Sequence, residues 1–343
     1  MKQNNQLLNS KPVEIDGQSK EGLIRSTIQI IEKRFGKEAI MLLGQTDKTE
    51  VETFSSGSIA LDHILGIGGL PRGRIIEIYG PESSGKTTIA LHAIAEIQKE
   101  GGIAAFIDAE HSIDPNYAKN LGVNIDNLIL SQPDSGEQAL EIVDILTKSS
   151  HIDLIVVDSV AALVPEVELQ GEMREQTIGA QARLMSKALR KITGSLSKNR
   201  TSIIFINQVR EKVGVIFGSP EITSGGRALK FYASVRIDVR KISSIGSGDE
   251  ISGNIIKMKV VKNKLAAPFK SATTEIIFSR GISKIAETID LAESVAILER
   301  RGAWYRYEEQ NLAQGKNNLR ILLENDRDLY NSIFEKLSKK LGN

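Results

Sequence analysis

The sequence of 343 residues is long enough for one large α/β domain with smaller appendages, and its 41% hydrophobic and 25% charged residues describe a soluble globular chain. Zero cysteines exclude a disulfide framework and any thiolate metal or redox site, and four histidines without a His-x-x-x-His pair argue against a histidine metal cage. The net charge of +1 hides an asymmetry: residues 1–180 carry 15 Lys+Arg against 27 Asp+Glu, residues 181–270 carry 18 against 5, and residues 271–343 carry 11 of each. The middle third is therefore expected to form a basic surface suited to a polyanion, unless its cations pair with the acidic first half.

No stretch approaches the roughly 18–20 uninterrupted apolar residues of a membrane span, and the polar N-terminus lacks a signal-peptide core. A cytoplasmic protein without a membrane partner is the expectation. After a polar segment over 1–20, Ile24, Ile28, Ile31 and Phe35 recur at helical spacing and Gly36 is a stop. That helix packs on its own core or docks on another subunit; spacing does not choose. A Gly- and Pro-rich loop over 66–73 follows. Apolar strand candidates at 75–79, 103–107, 128–130, 154–157 and 203–206 then alternate with helical patterns at 86–98, 137–146 and 181–196. That alternation predicts a largely parallel sheet covered by helices on both faces. Strand-like runs at 234–239, 255–261 and 275–278 extend it in hairpin fashion, and from residue 284 short helices around Trp304 predict a small C-terminal domain. The expected division is an N-terminal tail and helix over 1–47, a main core over 48–283 and a C-terminal α/β domain over 284–343.

Gly80-Pro81-Glu82-Ser83-Ser84-Gly85-Lys86-Thr87 follows a predicted strand and opens a predicted helix, the context that the phosphate-binding G-x-x-x-x-G-K-[ST] motif requires. Its glycines allow a tight loop of inward-facing N–H groups, Lys86 adds a cation and Thr87 offers a hydroxyl to Mg²⁺. ATP and Mg²⁺ are thus the expected ligands. Asp158 ends the apolar strand 154–157, where a second Mg²⁺ carboxylate belongs. Glu110 and Asp108, two residues apart beyond the strand 103–107, are rival groups for orienting the attacking water, and spacing does not separate them. Gln208 follows another strand; it either feels the γ-phosphate or is an ordinary polar loop residue.

These motifs resemble the RecA family of ATP-dependent recombinases. The similarity runs from about Ile24 to the region of Gly315. It rests on the phosphate loop through Thr88, on Phe106-Ile107-Asp108-Ala109-Glu110-His111, and on Val156-Val157-Asp158-Ser159-Val160-Ala161-Ala162-Leu163. Phe205-Ile206-Asn207-Gln208, Ala228-Leu229-Lys230-Phe231-Tyr232-Ala233-Ser234 and Val261-Lys262-Asn263-Lys264 complete it. The resemblance implies a RecA-type core that polymerises on single-stranded DNA as a helical filament, pairs it with double-stranded DNA and exchanges strands. It also implies co-activation of SOS repressor self-cleavage. Carried over residue by residue, it selects Glu110 over Asp108 as the water-activating group and makes Thr87 and Asp158 the Mg²⁺ positions. It places Asp114 and Tyr117 near the adenine, and makes Lys262 and Lys264 cations that reach the γ-phosphate on an adjacent subunit.

It further implies DNA-binding loops over about 166–179 and 209–223. The second carries Arg210 and Lys212 for phosphates and Val215, Ile216 and Phe217 as a wedge or stacking surface. Arg183, Ser186 and Arg190, on one face of a predicted helix, match backbone-contacting positions, as do Gly225 and Gly226. Arg240, Lys241, Lys257 and Lys259 match a weaker second DNA site, against which an ordinary solvated face weighs almost equally. With Gln208 at the root of the second loop, a γ-phosphate contact would move that loop. The chain departs from the family at Phe278 and Ser279, where better-known members have tyrosine and glycine. Its last ten residues are basic, where many members carry an acidic tail; weaker self-inhibition of duplex binding is expected. A ring-forming helicase and a nucleotide-gated DNA-binding protein without hydrolysis are the rival readings of the same core.

Overall fold

The computed structural model describes residues 20–37, 39–40, 51–171, 179–211, 221–246 and 250–342. Residues 1–50 form one unit and residues 51–343 another. In the first, α1 (Lys20–Phe35) buries none of its side chains, and Ile24, Ile30 and Phe35 stand exposed. Gly36 ends it with φ 96°, as the sequence predicts.

The second unit opens with a short antiparallel pair, β1 (Thr53–Phe54) and β2 (Leu70–Pro71), flanking α2 (Ile59–Leu65). There follow β3 (Ile75–Gly80), α3 (Lys86–Lys99), β4 (Ala104–Asp108), α4 (Pro115–Asn120), β5 (Ile129–Ser131), α5 (Gly136–Lys148) and β6 (Leu154–Asp158). Next come α6 (Glu166–Gln170), α7 (Ala180–Asn199), β7 (Ser202–Glu211), β8 (Glu221–Thr223), α8 (Ala228–Tyr232), β9 (Val235–Ile245), β10 (Gly253–Asn263), β11 (Ser271–Ile277) and β12 (Gly281–Ile282). The large sheet has the order β12-β11-β10-β9-β3-β7-β6-β4-β5, with β8 paired to β7. From β9 to β5 all neighbours are parallel; β10, β11 and β12 add on antiparallel.

Consecutive residues of the central strands enter opposite cores, which is why these strands read as unbroken apolar runs. Ile76, Phe106, Val156 and Ile204 join the cluster under α3 with Ile89, Ala93, Ile94 and Ile97. Ile75, Ala105, Ile107, Ile155, Val157, Ile203 and Phe205 join the cluster under α5 and α7 with Leu140, Val143, Met185, Leu189 and Ile192.

The C-terminal region combines α9 (Lys284–Ser294), α10 (Lys316–Asn325) and α11 (Arg327–Leu341) with a three-stranded antiparallel sheet of β13 (Glu299–Arg301), β14 (Trp304–Tyr307) and β15 (Gln310–Gln314). Trp304 does not centre this core: it lies on β14 at 44% exposure, while Tyr305 and Tyr307 are buried with Ile289, Leu319, Leu323 and Ile333. The alternating polar residues of Trp304–Tyr307 mask a strand pattern too short to outweigh the helices around it. No helix among the described residues is long and apolar enough to cross a membrane.

Glu287 of α9 fastens this region to the core. Its carboxylate, 1% exposed, accepts hydrogen bonds from Ser58 Oγ, from Ile59 N at 2.8 Å and from Ala60 N at 3.4 Å. It thereby caps the N-terminal turn of α2 from outside, where a negative charge meets the helix dipole. Truncation strands three buried donors, so Glu287→Ala is expected to lower unfolding free energy by about 1–3 kcal/mol. A urea midpoint equal to that of the parent would contradict this.

Candidate functional site

The parallel strands β3, β4, β6 and β7 all deliver their C-terminal ends to one edge of the sheet, and the sequence-predicted site converges there. Gly80 closes β3 opposite Gln208 of β7, and Asp108 of β4 lies opposite Asp158 of β6. The chain then turns through residues 81–85 into α3. A Cβ on Gly80 would lie 2.0 Å from the Val239 carbonyl oxygen, and one on Gly85, at φ 92°, would lie 2.4 Å from Ile276 Cδ1. Gly80 is therefore required by close approach to backbone, and Gly85 by its left-handed conformation.

Lys86 is buried behind this loop and donates to the Pro81 carbonyl at 2.6 Å; desolvation holds its pKa below the usual lysine range. Thr87 Oγ1 donates to Asp158 Oδ2 at 2.7 Å. Burial pushes the Asp158 carboxyl up to about 6, with Glu110 and Asp108 adding like charge and the Thr87 hydroxyl and Lys86 opposing. The two predicted Mg²⁺ positions are thus adjacent, with the phosphate-loop lysine beside them.

Geometry also separates Glu110 from Asp108. Asp108, fully buried, spends its oxygens on the N–H groups of Ser112 (3.1 Å) and Ile113 (3.3 Å) and on Gln132 Nε2 (3.0 Å), so it holds the turn that follows β4. Glu110 lies at the front of the site. Its Oε1 accepts from Ser159 Oγ and from Gln208 Nε2, the latter at 2.9 Å, while its Oε2 makes no hydrogen bond among the described residues. Gln208 itself belongs to β7, which runs on to Glu211, so it is a strand residue and not part of a loop.

A cleft of about 270 Å³ lies over the loop, lined by residues 83–88 together with Tyr117, Asn254, Ile256, Ile276 and Phe278. Tyr117 and Thr88 share a hydrogen bond at 2.9 Å. Asp114, exposed, instead caps α4 through the Asn116 N–H at 2.8 Å. Two buried polar atoms in this cleft, Ser84 Oγ and Asn254 Oδ1, have no protein partner, as befits a pocket built for a polar ligand. Phe278 presents an aromatic ring there. Ser279 sits at φ 64°, a conformation that explains the glycine of better-known relatives. Sequence reasoning missed Gln132 and Ser159, which act through carboxylates of another segment, and Asn254, which reaches the cleft only because β10 adds to the sheet.

Lys262 and Lys264 are not brought to this edge. Lys262 lies across from Arg236, itself across from Glu77, and Lys264 N bonds the Ser234 carbonyl beside the start of β3. They are roughly 10–17 Å from Gly80 along the strand direction and two strands aside. Lys262 Nζ donates to the Lys230 and Phe231 carbonyls and Lys264 Nζ to Phe231 O at 3.1 Å.

On the expected DNA side, the first loop begins as a helical turn, α6, and residues 172–178 lie outside the described residues. The second is rooted in a β-ribbon: Val209, Arg210 and Glu211 pair with Thr223, Ile222 and Glu221. Lys212, Val215, Ile216 and Phe217 lie outside the described residues. Arg183 and Arg190 are exposed on α7, with half-buried Ser186 between them. A Cβ on Gly226 would lie 2.7 Å from Ala182 Cβ, and Gly225 N donates to Gln181 Oε1 at 3.1 Å. The two glycines thus seat the returning ribbon on the start of α7. Lys241, Lys257 and Lys259 are exposed, but Arg240 is occupied by Glu221 and Asp238 at 2.6–2.7 Å.

Comparison with known proteins accounts for nearly the whole chain. The family model of the RecA N-terminal domain matches residues 22–283, and that of the RecA C-terminal domain matches residues 286–342. A protein RecA of Mycoplasma mobile is 72% identical over 319 residues, covering 93% of this chain and 96% of that protein. One from Mesomycoplasma hyopneumoniae is 67% identical over 323 residues (94% and 96%), and one from a Nocardioides species is 56% identical over 326 residues (95% and 93%). The chain belongs to the RecA family, the DNA-dependent ATPases of homologous recombination and repair.

Proposed function

We propose that the protein coats single-stranded DNA as a helical filament, with ATP held at the seam between neighbouring chains, and there promotes pairing with duplex DNA and strand exchange. The observation that carries this reading is the separation of Lys262 and Lys264 from the chain's own phosphate loop. Two cations placed at the far end of the sheet serve a γ-phosphate held by another copy in a head-to-tail assembly. The exposed apolar residues of α1 suit it to dock on a further copy.

Within one seam, the loop N–H groups and Lys86 hold the triphosphate, and Tyr117 and Phe278 flank the base. Thr87 and Asp158 would hold Mg²⁺, which supplies charge neutralisation on the phosphates. Glu110 takes the proton of the attacking water through Oε2 while Gln208 orients the site. The water oxygen forms a new bond to the γ-phosphorus, the bond to ADP breaks, and ADP and phosphate leave. Arg183, Ser186, Arg190, Arg210 and the backbone at Gly225 and Gly226 contact DNA phosphates, so binding is salt-dependent with little sequence preference. The same reading includes co-activation of SOS repressor self-cleavage and a cytoplasmic setting.

The seam is tested by mixing inactive variants. Lys86→Ala and Lys262→Ala are each expected to lose DNA-stimulated ATPase. An equal mixture regains activity, because about a quarter of randomly formed seams then pair an intact loop with an intact lysine. A mixture as inactive as its components would refute an intermolecular site. If the parent protein holds single strands equally well with ATP, ADP or no nucleotide, the gating itself is absent.

Asp158 yields a pH test with a fixed sign. Burial raises its pKa in the fold from the ordinary aspartate value of 3.8 to about 6, so the carboxyl weakens the fold as pH rises through that window. Asp158→Asn is therefore expected to raise stability at pH 7 without Mg²⁺, by on the order of 3 kcal/mol, and to change it little near pH 4. Equal stability at both pH values would remove the argument.

A further inference from the structure

We propose that Glu77 is a positioning residue that ties the nucleotide-sensing Gln208 and the root of the DNA ribbon to the strand bearing Lys262. This rests on the function proposed above and goes beyond it. Glu77 is fully buried at the middle of β3, flanked there by Ile75, Ile76 and Ile78, and its charge is met by neighbours on both sides. Across β9, Arg236 Nε donates to Glu77 Oε2. Across β7, Asn207 Nδ2 donates to Glu77 Oε1 at 3.0 Å.

Asn207 extends the connection in two directions. Its Nδ2 also donates to the Ser224 carbonyl at 3.0 Å, one residue past β8, and its Oδ1 accepts the Gln208 N–H at 2.9 Å. On the other flank, Arg236 stands opposite Lys262 in the register of β9 and β10. Like charges directly opposite repel, and Glu77 is the anion beside them. Arg236 also lies over the Tyr79 ring, 4.6 Å from its centroid, immediately before Gly80. A row of polar side chains therefore crosses four adjacent strands from Lys262 through Arg236 and Glu77 to Asn207. Its two ends are the seam cation and the ribbon root.

A buried acid–base pair is costly to desolvate, and an apolar pair of similar volume would serve stability as well. What the polar row adds is linkage. When a neighbour's phosphate draws Lys262 off the α8 carbonyls, the charge beside Arg236 falls, and the hold of Arg236 on Glu77 tightens. Asn207 then feels that change through the other oxygen of the same carboxylate and passes it to Gln208 and Ser224.

The test is the ratio of single-stranded DNA affinities measured with a non-hydrolysable ATP analogue and with ADP. In Glu77→Gln that ratio is expected to fall by about tenfold, with ADP affinity and DNA-independent turnover retained, DNA-stimulated turnover lost, and the thermal midpoint lowered because Arg236 loses its buried counter-charge. Arg236→Lys, which keeps the charge, is expected to restore part of the ratio relative to Arg236→Ala. Should Glu77→Gln fail to fold, Asn207→Ser decides, because it cuts the same row at its ribbon end. An unchanged ratio in a folded Glu77→Gln or Asn207→Ser variant would overturn the inference. A parent protein without any nucleotide-dependent ratio would instead sink the proposed function, so the two failures are distinguishable.

Discussion

Parallel strands that share a sheet must end at the same edge, and antiparallel strands added to that sheet must end at the other. Here the first rule gathers Gly80, Asp108, Asp158 and Gln208 at one edge. The second carries Lys262, near the end of β10, away from them. The phosphate loop and the seam lysines are therefore separated by topology, and no side-chain rotation within one chain bridges them. Strand direction thus keeps these lysines from the chain's own phosphate loop, which is the support for the intermolecular site proposed above.

The gathered edge is electrostatically expensive. Asp108 and Asp158 are buried side by side, with Glu110 hydrogen-bonded to the serine next to Asp158. Burial first, then the like charge of Glu110 and Asp108, raises the carboxyl of Asp158, whereas burial depresses Lys86 against the opposing pull of Asp158 and Glu110. The structure limits the cost by dividing labour. Asp108 has its oxygens engaged by the following turn and Gln132. Asp158 is met by the Thr87 hydroxyl, and Glu110 keeps one oxygen unengaged. Remaining unfavourable charge is what a phosphate-bound cation relieves, so stability has been given up where binding restores it.

Much of this was legible because it is local. The phosphate loop is a contiguous motif with a fixed role for each residue, and the strands around it are apolar runs of the expected length. The alternation of strand and helix sufficed for the parallel sheet. What escaped was set by contacts between distant segments. Spacing left Asp108 and Glu110 undecided, because only the turn and Gln132 reveal which carboxylate is occupied. Gln208 read as loop because its strand continues into a ribbon whose pairing depends on residues a dozen positions later. The short helices expected around Trp304 left out its strand, on which Trp304 stands exposed.

Glu77 illustrates the same limit in its sharpest form. The sequence reads 75–79 as an apolar strand of a sheet covered on both faces, and nothing in that reading says what meets its one acid. With both faces of β3 covered, the acid cannot be a solvated residue and must be matched by partners from other strands. Arg236 lies 159 residues away and Asn207 130. The excess of cations over 181–270 is thus not purely an outward-facing surface for DNA. Arg236 is spent on Glu77 and Arg240 on Glu221 and Asp238, while Arg190, Lys241, Lys257 and Lys259 remain exposed. The same stretch therefore supplies both exposed cations and cations paired within the sheet.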